Sequence, residues 1–437
     1  MKFTPSMFKL FDLTLKLNGF PMQEAKSELQ KIIAIPEEEY SHFIEQKKME
    51  IVNFHLNNNP YYRELTGIES FQNWSDLPIL NKINLQKPLK ERLSLGFSEK
   101  SVYLNKTSGS SGHPFIFAKD KFCHALTWAS NIYRFGWYGI DFNSSYQARF
   151  YGIPLDFIGN KKERLKDLLS HRYRFSIFNL SDEVLEGFLK KFDYINGYTS
   201  SIVLFAKFLQ KKNIVLKTIC PTLKVCMVTS EMLLEEDKLL LEKQFEIPII
   251  NEYGASELDL IAFQNPSGQW QVNSETLFVE ILDDNNQPVP NGTSGRIVIT
   301  SLFNKAHPFI RYDIGDIGIL DEKSTPKKPI LKKLIGRTND IAILPSGKKS
   351  PGLTFYYVTK SIIEDDGNVK EFIIKQTQID HFEVEYVSES ELNEAQIENI
   401  NKAVSQYLEP NLHFTFSRKI TLERSNRGKL KQFSSFL

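Results

Sequence analysis

The sequence predicts an α/β protein with a large N-terminal domain, residues 1–336, and a small α+β C-terminal domain, residues 341–437, joined by a hinge at 337–340. Three observations carry this expectation. The chain has 437 residues, beyond the size at which a single hydrophobic core usually stops growing. Short apolar strands alternate with helical stretches from residue 101 to 319, the pattern of α/β layering. After Gly336 the pattern shifts to strands with one helix, enough for a small α+β domain.

Residues 1–95 read as mainly helical. The apolar run Met7, Phe8, Leu10, Phe11, Leu13, Leu15, Leu17 is interrupted by Lys9, Asp12 and Lys16. It reads as an amphipathic packing helix, because a signal peptide needs an unbroken apolar stretch and a small-residue cleavage site. Pro36 suits the first turn of a helix over 37–54, and the Asn57-Asn58-Asn59-Pro60 run stops it. In the centre, 223–228 reads as a buried strand, 233–245 as a helix and 247–253 as another strand. Strands at 277–282 and 296–301 flank the turn-forming DDNNQPVPNGTSG, where antiparallel structure begins. Beyond the hinge come strands at 371–375 and 382–387, a helix at 391–408 and a final strand near Phe414.

Composition narrows the function. Lys and Arg number 54 against 53 Asp and Glu, a balance that gives no electrostatic reason to expect nucleic acid or an anionic membrane as partner. No segment reaches the run of about 18 apolar residues that a transmembrane span needs. Cys123, Cys220 and Cys226 are an odd number with no close spacing, which reads as a reducing cytoplasm. The histidines form no HExxH pattern, so no protein-bound transition metal is expected. A small-molecule ligand fits best.

Residues 102–119 read VYLNKTSGSSGHPFIFAK: a strand, the loop Thr107, Ser108, Gly109, Ser110, Ser111, Gly112, then a second strand at 115–117. Glycines let backbone approach an anion closely, and N–H groups and hydroxyls donate to phosphate oxygens without a fixed charge. A solvent-exposed hairpin loop has the same composition. The helix-opening GxxxxGK[ST] loop is excluded, because His113 and Pro114 follow Gly112 and no helix starts there.

TSGSSGHP resembles the signature loop of the adenylate-forming superfamily, which includes acyl-CoA synthetases, luciferases and nonribosomal adenylation domains. In that family's order and approximate spacing follow NEYGASEL at 251–258, HPFIRYDIGDIG at 307–318, IGRTND at 335–340 and RSNRGKLKQF at 424–433. LPILNK at 77–82 and the chain length look like the phenylacetate-CoA ligase branch. Within it, NGYTSS at 196–201 and SPGLTF at 350–355 look closest to proteins associated with capsular polysaccharide biosynthesis.

The resemblance implies roles for particular residues, and each has a physical reading beside it. Asp316 would grip the ATP ribose, since a carboxylate offers acceptors for two hydroxyls; alone it reads as a turn-forming Asp beside Gly315. Glu257 is a hard oxygen ligand suited to Mg2+, or else an acid at a helix N-terminus. Tyr253 would stack on adenine, with Gly254, Ala255 and Ser256 lining the nucleotide pocket. Arg337 can donate two parallel hydrogen bonds to ribose oxygens. Asn339 stands where many relatives carry an acidic hinge residue and Asp340 follows it, so either is the pivot. Lys429 is by position the adenylation lysine, bridging substrate carboxylate and α-phosphate; its composition alone reads as a solvated tail beside Arg427 and Lys431. Phe115 departs from the Pro-Lys of many members, which implies less charge on pyrophosphate.

The acyl pocket is expected between the phosphate loop and YGASE, from Tyr151, Gly152, Tyr198, Thr229, Ser230 and Glu231. Aromatic walls with few polar groups suit an aromatic or short acid; core packing explains several of these residues equally well. The implied chemistry is attack of a small carboxylic acid on the ATP α-phosphorus with Mg2+, then rotation of the C-terminal domain and transfer to coenzyme A. An amine, as on an amino sugar, is the alternative acceptor. A non-catalytic nucleotide-binding homologue is the reading from a different class.

Overall fold

The computed structural model describes residues 9–106, 115–151, 157–175, 182–337, 341–351, 369–407, 409–423 and 430–437. The helical entry region comprises α1 (Leu10–Leu17), α2 (Met22–Ala34), α3 (Glu37–Asn58), α4 (Pro60–Thr66) and α5 (Leu89–Arg92). Glu37, Glu38 and Glu39 fill the first turn of α3, where acids complement the helix dipole. Helix α4 opens on Pro60 with the Asn59 side chain accepting from the Tyr62 N–H at 2.8 Å, and Gly67 closes it at φ +65°. The asparagine run therefore ends one helix and caps the next.

Strands β1 (Tyr103–Lys106) and β2 (Ile116–Lys119) form an antiparallel ribbon, after which α6 (Lys121–Gly136) is capped by Asp120. The second strand begins one residue later than expected and runs on to Lys119. Next come β3 (Gln147–Phe150), α7 (Phe157–Leu169), β4 (Arg172–Phe175), α8 (Asp182–Phe188), β5 (Tyr194–Tyr198), α9 (Thr199–Lys211), α10 (Leu216–Ile219), β6 (Val225–Thr229), α11 (Glu235–Phe245), β7 (Ile249–Ala255), β8 (Asp259–Gln264) and β9 (Trp270–Val272). Their strands build one sheet in the order β4-β3-β5-β6-β7-β8-β9, parallel as far as β7 and antiparallel beyond it.

Both faces of this sheet are covered, so β5 and β6 are buried along their whole length. One face packs Phe150, Ile195, Cys226 and Val228 against Phe205 of α9 and Phe245 of α11. The other packs Tyr194, Val225, Met227 and Ile250 against Phe135 of α6. Alternate residues along each strand serve opposite cores, as the two-residue period dictates.

Strands β10 (Leu277–Leu282), β11 (Ser294–Ser301), β12 (Tyr312–Leu320) and β13 (Leu331–Arg337) make an antiparallel sheet in chain order. Its core joins Leu277, Ile281, Ile297 and Tyr312 to Tyr253 of β7, which places the end of β7 against the second sheet. The short pair β14 (Ile341–Ile343) and β15 (Lys349–Pro351) follows. The last sheet has the order β18-β17-β16-β19, from β16 (Val369–Gln376), β17 (His381–Ser388), β18 (His413–Lys419) and β19 (Phe433–Ser435). Its core takes Ile400 and Val404 from α12 (Glu394–Tyr407). The three cysteines are free and buried. Among the described residues no helix is long and apolar enough to cross a membrane.

Candidate active site

The site grows from the end of β7. Tyr253, Gly254 and Ala255 are its last residues, and the chain turns through Ser256, Glu257 and Leu258 into β8. Glu257 thus lies in a strand-to-strand turn and not at a helix N-terminus. At Gly254 a Cβ would stand 2.5 Å from the Asp259 carbonyl oxygen, so the tight return admits no side chain there.

Tyr253 and Asp316 are both buried, and the Tyr253 hydroxyl donates to Asp316 Oδ2 at 2.6 Å. The Tyr253 ring meets Trp270 edge-on, with centroids 6.0 Å apart. Asp316 belongs to strand β12, not to a turn. Gly315, at φ +80°, supplies the turn-like signal in the sequence: the β11–β12 register slips across it, Arg296 facing Ile317 and Val298 facing Asp313, and pairing with β13 starts at Asp316. That pairing sets Asp316 directly opposite Arg337 on β13. Three residues expected at the nucleotide are thereby brought to one seam between two sheets, Arg337 by its backbone position.

Glu257 is buried, and its Oε1 accepts from the Tyr312 hydroxyl at 3.0 Å. Its second carboxylate oxygen accepts no hydrogen bond among the described residues and remains available to a cation. No group of three or more His, Cys, Asp or Glu among the described residues could hold a metal alone. One carboxylate completed by substrate phosphates and water is the donor set that Mg2+ takes, so Glu257 fits that ion.

The sequence reading missed the neighbours of Glu257. Lys119, at the end of β2, is buried and contacts the carboxylate of Asp259, which also accepts from Thr127 Oγ1 at 2.9 Å. Asp259 holds φ +58°, an uncommon conformation for a residue other than glycine. Burial draws the Lys119 ammonium down to about 8, opposed by Cys123 and Glu257. Burial pushes the Cys123 thiol up to about 12. These residues line a small crevice with Thr127, Glu257 and Ser301. Lys119 and Asp259 stand 140 positions apart, and no local pattern announces such a pair.

Of the expected acyl-pocket residues, Tyr151, Tyr198, Thr229, Ser230 and Glu231 lie at the carboxyl ends of the parallel strands, where open α/β sheets bind ligands. The Tyr151 and Tyr198 rings are 4.7 Å apart, and the Tyr151 hydroxyl donates to Asn196 Oδ1 at 3.1 Å. Thr229 Oγ1 donates to Glu252 Oε1 at 3.1 Å. Ser230 is exposed, with φ +72°. Glu231 serves α9: its Oε2 accepts from the Ser200 N–H at 2.7 Å and its carbonyl from Thr199 Oγ1 at 3.1 Å. Arg149, Asn196 and Glu252 share this region and make it more polar than the aromatic-walled pocket expected; Asn196 and Glu252 fall within NGYTSS and NEYGASEL, but the motifs gave them no role, and Arg149 lies in no motif.

Thr107, Ser108, Gly109, Ser110, Ser111, Gly112, Gly152, Asn339, Asp340, Lys429 and the Arg337 side chain lie outside the described residues. The ribbon flanking the loop pairs Lys106 with Ile116, so its two ends stand side by side. Leu430, next after Lys429, is buried with Ile373 and Leu422.

No family model matches the chain. Protein CapK of Staphylococcus aureus is 24% identical over 421 residues, covering 89% of this chain and 87% of that protein. Among solved structures, 2-hydroxyisobutyryl-CoA ligase in the postadenylation state with 2-HIB-AMP superposes with a TM-score of 0.69 at 15% identity, over 91% of this chain and 90% of the other. The amide bond synthetase McbA from Marinactinospora thermotolerans gives 0.53 at 14% identity, over 77% and 69%.

Proposed function

We propose that this chain, which has the fold of the adenylate-forming ligases, uses ATP to convert a small carboxylic acid to its acyl-AMP and then passes the acyl group to coenzyme A. The observation that carries the reading is the buried Tyr253–Asp316 hydrogen bond, with Asp316 in register with Arg337. Residues 253, 316 and 337 meet where β7 abuts the second sheet, beside Glu257 and its open oxygen.

In this reading an oxygen of the substrate carboxylate forms a bond to the α-phosphorus as the bond to pyrophosphate breaks. Positioning and electrostatics do the catalysis, and no protein nucleophile is used. Asp316 and Arg337 hold the ribose and Tyr253 offers its ring to adenine. The loop from Thr107 to Gly112 receives the phosphates. Glu257 holds Mg2+, which when bound neutralises phosphate charge. Lys429 meets the charge that develops between carboxylate and α-phosphate. A rotation about Asn339 and Asp340 then removes Lys429 and admits the acceptor. The reaction belongs to the cytoplasm, where ATP and coenzyme A are at hand.

The reading is tested by pyrophosphate release from ATP against a panel of aryl, acyl and amino acids, each with and without coenzyme A. Acid-dependent release, accelerated by coenzyme A, is expected. A panel in which no acid stimulates release overturns adenylation and leaves a nucleotide-binding homologue. An amine acceptor is the second reading, favoured by the fold shared with an amide bond synthetase; it replaces the first if amines and not coenzyme A accelerate consumption of a competent acid.

A further inference from the structure

At the carboxyl ends of the parallel strands the register puts two rows of side chains on one face of the sheet. The deeper row is Arg149, Asn196, Met227 and Ile250. Two residues on along each strand come Tyr198, Thr229 and Glu252, laterally aligned across β5, β6 and β7. Tyr151 follows β3 on the same side and packs on Tyr198.

Two of these side chains are charged: each feels an opposite charge at a distance, Glu252 that of Arg149 and Arg149 that of Asp167, but neither makes an ion pair at bonding distance among the described residues. Arg149 lies over the Tyr151 ring, its Cζ 3.9 Å from the centroid, and its buried Nε has no hydrogen-bond partner among the described residues. Nearby Arg172 and Arg174 are instead neutralised by Asp167, at 2.5 and 2.9 Å. The Glu252 carboxylate accepts one hydrogen bond among the described residues, from Thr229. Both side chains keep part of their surface accessible, so they line a space and are not sealed in the core. Burial nevertheless pushes the Glu252 carboxyl up and draws the Arg149 guanidinium down to about 10. Asn196, by contrast, is tied into the protein at both ends of its carboxamide: it accepts from Tyr151 and Gln147 and donates to the Met227 carbonyl at 3.2 Å.

A plain alkyl or aryl group seated against this face would strip water from Arg149 and Glu252 and return no hydrogen bond, which is costly for ionisable groups. We propose that the acid activated by this protein is amino- or hydroxy-substituted, with that donor accepted by Glu252, and not an unsubstituted aryl or alkyl acid. The proposal rests on the adenylation reading and adds the substrate class to it.

The test is ATP–pyrophosphate exchange by the full chain with matched acids, each amino or hydroxy acid set beside its analogue with hydrogen in that place. The substituted member is expected to be favoured by roughly 10- to 100-fold in kcat/KM. Glu252→Leu is expected to erase the preference, chiefly by raising KM for the substituted acid. Glu252→Gln, nearly isosteric, guards against a folding defect and is expected to weaken acids that bear a charged ammonium more than hydroxy acids, because the carboxamide oxygen still accepts a hydrogen bond but no longer carries a charge. Equal use of the unsubstituted analogues, or a preference that survives Glu252→Leu, overturns the proposal while leaving adenylation intact. Absence of exchange with every acid overturns adenylation itself, and the substrate class falls with it.

Discussion

A phenol and a carboxylate, 63 positions apart, make the bond that ties the end of β7 to β12. Tyr253→Phe keeps the ring and removes the donor, leaving a buried carboxylate oxygen short of a partner. The variant should lose about 1–3 kcal/mol in urea denaturation and show a raised KM for ATP. Lys429→Ala should lower the adenylation rate by about 10² to 10³ while sparing ATP binding; single-turnover pyrophosphate release beside an equilibrium ATP titration separates the two effects. Near-normal turnover would mean that another cation serves. At this scale the sequence singled out candidates wherever a residue's neighbours in the chain formed a motif, as YGASE did for Tyr253 and Glu257, which the fold sets near Asp316 and Tyr312. It was silent where the partner is distant: Lys119 meets Asp259, and Arg149 comes near enough to Glu252 for their charges to act on one another, only through the fold.

Secondary-structure elements constrain individual residues in ways that composition does not reveal. Tyr198, at the N-cap of α9, does not cap the helix with its side chain, and Glu231 reaches across from the end of β6 to take the Ser200 N–H. Glu231→Ala should therefore cost about 1 kcal/mol in stability, measured by denaturant midpoint, whatever its effect on the acid. Gly197 is set by close approach of strands: a Cβ there would stand 2.4 Å from the Phe150 carbonyl oxygen. Gly197→Ala should cost about 1–3 kcal/mol by forcing β3 and β5 apart. Helices and strands announced themselves by period, and their ends drifted by a few residues. The helix expected from 233 begins at Glu235, where Glu235, Glu236 and Asp237 favour the first turn. Asp316 was misassigned because a glycine with positive φ imitates a turn inside a continuous strand.

For the whole molecule, the α/β class and the small terminal sheet were legible, because alternation and apolar period are properties of long stretches. The joining of sheets was not, since it is written in side chains such as Tyr253 and Tyr312 that touch only after folding. Buried imidazoles give a pH dependence to the entire fold. His55 donates from Nε2 to the Asn304 carbonyl at 2.9 Å, and burial lowers it to about 4. His124, stacked on Tyr103 at 3.6 Å, is lowered to about 3 by burial and then by Lys119. His307, beside Arg92, is lowered well below the ordinary value, chiefly by burial. The unfolded chain takes up these protons near pH 6.5, before the folded chain does. Their contribution is fully present above pH 6.5 and is lost as pH falls toward 4 and below, with a slope of at most about 4 kcal/mol per pH unit if all three act. Urea midpoints should fall between pH 7 and 5, and His55→Gln should flatten that fall.

An indole 6.0 Å from Tyr253 also makes the molecule its own optical probe. A purine arriving at that ring would change the electronic surroundings of Trp270, so tryptophan emission should shift during an ATP titration. Trp270→Phe should abolish that response while Trp74, Trp128 and Trp137 continue to emit. Nucleotide occupancy then becomes visible without label or turnover, in the wild type and in variants too slow to assay.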